Sequence, residues 1–79
     1  MFTNDNKVKH LYTKIKNFSD IDFAKFVFEL YIVRILEDFS DAKKSLSDRE
    51  CIYNYLDEYI NSIGEYGCID YLNCIIDNL

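Results

Sequence analysis

The chain has no proline and only two glycines, Gly64 and Gly67, in 79 residues. An all-β domain of this length reverses direction many times, and its tight turns draw on Gly and Pro for their special backbone angles. Helices need one reversal per connection and are weakened when either residue enters their interior. The expectation is an all-α chain whose two glycines mark a single turn.

Apolar periodicity then places the helices. Val8, Leu11, Tyr12, Ile15 and Phe18 fall on one face, which predicts a first helix over about 5–17. Ser19 and Asp22 have the spacing of a capping box, and Phe18 and Phe23 that of a hydrophobic staple, so a second helix is predicted over about 20–38. Phe23, Phe26, Val27, Phe28, Leu30, Tyr31, Ile32, Val33, Ile35 and Leu36 surround most of its axis. A helix apolar on nearly all sides is central in its domain or buried in an oligomer. Residues 39–47 read as a polar connection, with room for a helical turn near Asp41 to Lys44. Ser47 and Glu50 form a second capping-box pattern ahead of a helix over about 48–63, whose stripe is Ile52, Leu56, Tyr59, Ile60 and Ile63. Gly64 suits the left-handed position that ends it. After Gly-Glu-Tyr-Gly, a fourth helix over about 68–78 turns Ile69, Leu72, Ile75, Ile76 and Leu79 inward.

These elements predict one domain over residues 1–79, a compact four-helix bundle with helix two central. Short connections make helices one and two, and three and four, antiparallel neighbours. A chain this small buries only about 60 % of its unfolded surface and needs a dense core. Its 49 % hydrophobic content, with six Phe and seven Tyr, supplies one.

The formal net charge is −5, which disfavours direct contact with nucleic acid or an anionic membrane. The charge is unevenly spread. Lys7, Lys9, Lys14 and Lys16 against Asp5 give residues 1–18 a charge of +3. Residues 45–79 carry Arg49 against seven acids, or −6. Five tyrosines share that acidic half: Tyr53, Tyr55, Tyr59, Tyr66 and Tyr71. Exposed tyrosines among acids suit a protein-binding face, because Tyr offers rigid contact area and acids steer a basic partner. The candidate contact residues are Tyr53, Asp57, Glu58, Glu65, Tyr66, Asp70, Tyr71 and Asp77. The alternative for the tyrosines is a rim role, with rings on the core and hydroxyls in water.

No catalytic constellation is legible. His10 is alone and lies far along the chain from Cys51, Cys68 and Cys74. The cysteine intervals fit no usual zinc spacing, and the cysteines read as buried reduced thiols. Adjacent acids such as Glu37-Asp38 and Asp57-Glu58 point in different directions on a helix and share no site. No phosphate loop, EF-hand pattern or Glu-x-x-His pair is present. No cofactor, metal or enzymatic activity is expected. The absence of a secretory pattern and of a long apolar run points to a cytoplasmic protein.

The segment Phe18-Ser19-Asp20-Ile21-Asp22-Phe23 resembles the start of the first helix in nuclease-colicin immunity proteins, over less than a fifth of the chain. Those proteins also carry a Tyr-Tyr-Pro-type segment on a short third helix, where this chain offers only Tyr53-Asn54-Tyr55. In size and acidity the chain is similar to small helical toxin-immunity proteins in general. The expectation is a non-enzymatic binding module that neutralises a basic toxin or nuclease. Two alternatives stand beside it. One is a phage-type anti-defence protein, anti-CRISPR-like, whose acidic surface mimics nucleic acid. The other is a structural or regulatory homo-oligomer, a homodimer through helix two, because one copy leaves Phe23, Phe28, Ile32 and Leu36 hard to cover.

Overall fold

A computed structural model describes the backbone of residues 3–63 and 66–79 and the side chains of residues 6–63 and 69–79. Among the described residues the fold is all-helical: α1 (Thr3–Lys16), α2 (Asp20–Ile32), α3 (Phe39–Ser47), α4 (Glu50–Ile63) and α5 (Tyr66–Asp77). The four-helix expectation is thus corrected to five. The segment read as a polar connection is the additional helix. The radius of gyration, 11.8 Å, agrees with about 12 Å for a compact globule of this length.

The longest predicted helix is cut short, and the reason is local. Helix α2 stops at Ile32 rather than near residue 38, because Arg34 takes a left-handed conformation with φ of 66°. The Arg34 amide donates to the Tyr31 carbonyl at 3.2 Å and the Ile35 amide to the Leu30 carbonyl at 2.9 Å. This is the paired closure of a Schellman motif, with an arginine where glycine is usual. The chain turns there, buries Leu36 completely, and starts α3 from Asp38. Asp41 in the first turn and Lys44 in the last suit the dipole of that short helix.

Other helix ends follow the sequence more closely. The Ser19 hydroxyl caps α2 by accepting from the Asp22 amide at 3.1 Å. Phe18 packs against the core and meets Phe26 edge-on, with ring centroids 5.6 Å apart. The cap of α4 is shifted. Ser47 ends α3, its hydroxyl donating to the Lys43 carbonyl, and the Asp48 carboxylate accepts from the Glu50 amide at 3.1 Å. Gly67 lies inside α5, not in a turn. The predicted turn at Gly64 and Glu65 lies outside the described residues.

One core joins all five helices. Leu11 and Ile15 of α1, Phe23, Phe26, Val27 and Leu30 of α2, Ala42 of α3, Ile52, Leu56 and Ile60 of α4, and Ile69, Leu72 and Ile75 of α5 are buried in it, with Leu36 from the link. Each large side chain so buried contributes about 1.5–3 kcal/mol. The helix that packs most closely on α1 is α5, and α2 packs most closely on α3, so the expected pairing of helices one and two is replaced. Arg49 ties the start of α4 to the start of α2. Its guanidinium donates to the Phe18 carbonyl and the Asp20 carboxylate, each at 2.8 Å, and lies 4.7 Å over the Phe23 ring.

Coverage of α2 is one-sided. Phe23 and Leu36 are buried, whereas Phe28 and Ile32 are 60 % and 58 % exposed. No helix among the described residues is long and apolar enough to cross a membrane.

Candidate functional site

The turn at Arg34 has a consequence for charge. Continued as helix, α2 would have carried Glu37 and Asp38 around its own axis. The turn instead delivers both to the mouth of a cleft between the α2–α3 link, α3 and α4. This cleft holds about 490 Å³ and is lined by Arg34, Glu37, Asp38, Asp41, Tyr55, Glu58 and Tyr59, with Ile35, Leu36 and Ser62. Among the described residues, four carboxylates and one guanidinium line it. Glu37, Asp38 and Glu58 are exposed, while Tyr55 and Tyr59 are half-buried with the core behind them.

One wall of the cleft is fixed by a side-chain bond. The Tyr55 hydroxyl donates to Asp41 Oδ1 at 2.9 Å, linking α4 to α3. That bond, then burial, holds the Tyr55 proton more tightly than an ordinary phenol does. The result is a polar aromatic wall beside exposed acids, able to take a cationic side chain against a ring and a carboxylate together.

The eight residues predicted for the acidic face line different parts of the surface. Tyr53 and Asp57 lie on the seam between α4 and α1. The Tyr12 hydroxyl donates to the Asp57 carboxylate, and the Tyr12 and Tyr53 rings stand 5.0 Å apart at 46°. Tyr53, a candidate for the exposed face, is half-buried against the core. Burial, and then the bond to Asp57, push the Tyr12 phenol well above the usual range. Tyr53 is raised by burial as well, partly offset by Arg49.

Glu58 belongs to the acidic cleft. Asp70 is exposed, 4.0 Å from Lys7 of α1. Tyr71 is 44 % exposed and lines a shallow depression with Glu29, Val33 and Cys74. Asp77 is exposed at the end of α5. Glu65 and the Tyr66 side chain lie outside the described residues.

Sequence reading missed Glu37, Asp38 and Asp41. They sit outside the C-terminal half, and nothing in their spacing announces the turn that gathers them. The signal available was the pair Asp38 and Asp41 ahead of Ala42, a pattern suited to a helix first turn.

No protein-family model, curated protein or solved structure matches the chain.

Other chemistry-bearing side chains are dispersed. His10 is exposed on α1. Cys51 and Cys74 are free thiols, half-buried and exposed respectively, rather than the buried small hydrophobes expected. The Cys68 side chain lies outside the described residues. No three His, Cys, Asp or Glu side chains come together as a metal site among the described residues.

Proposed function

We propose that this chain is a non-enzymatic binding module, a small acidic inhibitor or immunity protein that holds a basic toxin or nuclease. The observation that carries the reading is the acidic, tyrosine-walled cleft between α3 and α4. Exposed Glu37, Asp38 and Glu58 attract a cationic surface over distance and raise the rate of encounter. Tyr55 and Tyr59 supply rigid contact area that costs little side-chain entropy on binding, and tyrosine is among the residues that dominate binding hot spots. Asp41 is already engaged by Tyr55 and acts as a support for that wall. The Tyr53 and Asp57 pair serves a different purpose in this reading, locking α4 on α1 through Tyr12.

The test is affinity capture from the source cell with the intact chain, compared with Glu58→Lys and Asp38→Lys variants. The expected result is a basic protein captured by the native chain and lost from both variants, with their helical circular dichroism unchanged. Equal capture by the variants would sink the cleft as the contact surface. If the captured partner is then displaced by DNA or RNA, the cleft acts as a nucleic-acid mimic. If it is not, the module blocks the partner through protein-specific contacts.

A further inference from the structure

Between α2 and α3, a second surface has the opposite character. Ala24, Val27, Phe28 and Tyr31 of α2 and Phe39, Ala42 and Leu46 of α3 line an almost wholly apolar groove of about 360 Å³. The positions on each helix are spaced by three, four and seven, so the groove runs along two helical turns, roughly 10 Å. Tyr31 and Phe39 close one end of it, ring to ring at 5.7 Å. Ala24, Val27 and Ala42 are small and form the floor. Phe28, Phe39 and Leu46, respectively 60 %, 57 % and 52 % exposed, form the walls. An apolar groove walled by three exposed large side chains has the shape that receives an apolar side chain of another molecule.

Charge identifies the kind of occupant. Among the described residues, Lys25 and Lys43 are the charged residues that line this groove, and no Asp or Glu does. Lys43 also stands 5.8 Å over the Phe39 ring at the rim. Three carboxylates of the same two helices are turned elsewhere: Asp41 to the acidic cleft, Glu29 to the depression beside Tyr71 and Asp20 to Arg49. In a chain of net charge −5, this strip is cationic at its edges. A symmetric second copy laid on the strip would set lysines against lysines.

We propose that the groove between α2 and α3 docks an amphipathic helix of another protein, one with apolar anchors spaced by four and seven residues and flanked by Asp or Glu. The apolar anchors fill the space over Ala24, Val27 and Ala42, in the manner of helix-in-groove recognition. The flanking carboxylates meet Lys25 and Lys43 and fix the register. This surface is separate from the acidic cleft, and either could operate without the other.

The test uses the full chain and two fluorescein-labelled helical peptides with Leu, Leu and Phe anchors. One carries Glu on both flanks of the anchors, the other Lys. Anisotropy titration is expected to show the Glu peptide binding at least about tenfold more tightly than the Lys peptide. The Lys25→Glu, Lys43→Glu double variant should reverse that preference, and Leu46→Ser should weaken both peptides with the helical spectrum intact. Glu58→Lys should leave the titration unchanged, which separates this proposal from the cleft reading. Three outcomes overturn the proposal. The first is binding that ignores the charge reversal, or no binding of either peptide. The second is light scattering that shows a dimer broken by Leu46→Ser, which assigns the groove to a second copy. The third is lysine-dependent binding of anionic vesicles with no peptide preference, which assigns it to a membrane surface.

Discussion

Ser45 lies in the interior of α3 with no surface exposed, and its hydroxyl has no hydrogen-bonding partner among the described residues. A buried hydroxyl left unpaired costs about 1–3 kcal/mol. Alanine removes that group, keeps the helix and leaves the neighbouring core in place. Ser45→Ala is therefore expected to raise the stability by about 1 kcal/mol, read as a higher urea midpoint with an unchanged denaturant slope. A lower midpoint would mean that the hydroxyl has a partner worth more than its burial costs. At this scale the sequence was silent. Ser45 sat in a stretch of Ser, Asp and Lys that reads as solvated, and only the packing of α3 on α2 and α4 reveals which of its serines is inside. The same holds for Arg49. Its identity as the sole base of the acidic half was plain, but its reach to Phe18 and Asp20 depends on where α4 begins.

Helix α2 and helix α3 are two elements because of one residue. The apolar run through Leu36 gave no reason to end α2 at Ile32, since the usual stop signal, glycine, stands elsewhere. Arg34 adopts the left-handed conformation at a cost, because its Cβ crowds the following carbonyl, by about 1–2 kcal/mol. Glycine would remove that crowding but would gain freedom in the unfolded chain, an offset of about 0.4–1 kcal/mol. Arg34→Gly is expected to stabilise the protein by about 0.5–1 kcal/mol in equilibrium unfolding. The same change removes the one cation that lines the acidic cleft among the described residues. Under the proposed function it should therefore also tighten binding of the basic partner, an effect that a purely structural role for Arg34 would not produce. A destabilised variant would mean that the guanidinium contributes more to the turn than its strain removes.

The elements that were legible share a property. The stripe of α1, the Ser19 cap and the inward residues of α4 and α5 are all set by spacing within a few residues along the chain; Ile63, expected in the α4 stripe, is the exception and is 43 % exposed at the helix end. The start of α4 was misplaced by two residues, near 48 instead of Glu50, because Ser47 and Asp48 both suit a cap, and α3 extends far enough to consume Ser47. The candidate acidic face was legible as a composition, rich in Tyr and acid, but not as a surface. Its members on α4 alone diverge: Asp57 turns to Tyr12 of α1, whereas Glu58 turns to the cleft beside α3. Neighbouring positions on a helix point about 100° apart, so membership of one helix says little about a shared face.

At the scale of the whole molecule, tyrosine hydroxyls bonded to aspartates couple three of the helices. Tyr12 ties α1 to α4 through Asp57, Tyr55 ties α4 to α3 through Asp41, and Tyr53 packs on Tyr12. All three phenols hold their protons more tightly in the fold than the ordinary value of 10.0. For Tyr12 and Tyr53 burial is the first cause, and for Tyr55 the bond to Asp41. In the unfolded chain the same groups ionise near pH 10. Above that pH the unfolded state binds fewer protons than the native state, so stability must fall as pH rises. Their contribution is complete below about pH 10 and is lost as pH climbs from there through the raised native values. Urea midpoints should accordingly be flat with respect to these groups from pH 7 to 9 and drop steeply from pH 10 to 11.5. Lysines also lose charge in that range, so the decisive comparison is with a Tyr12→Phe, Tyr55→Phe double variant. Each substitution removes one hydrogen bond and lowers stability at pH 8 by about 1 kcal/mol. The double variant should nevertheless show a shallower alkaline decline, because two of the groups whose ionisation drives it are gone. An equally steep decline would mean that these two tyrosines ionise alike in the folded and unfolded chain, and that the seams they span are held by the core alone.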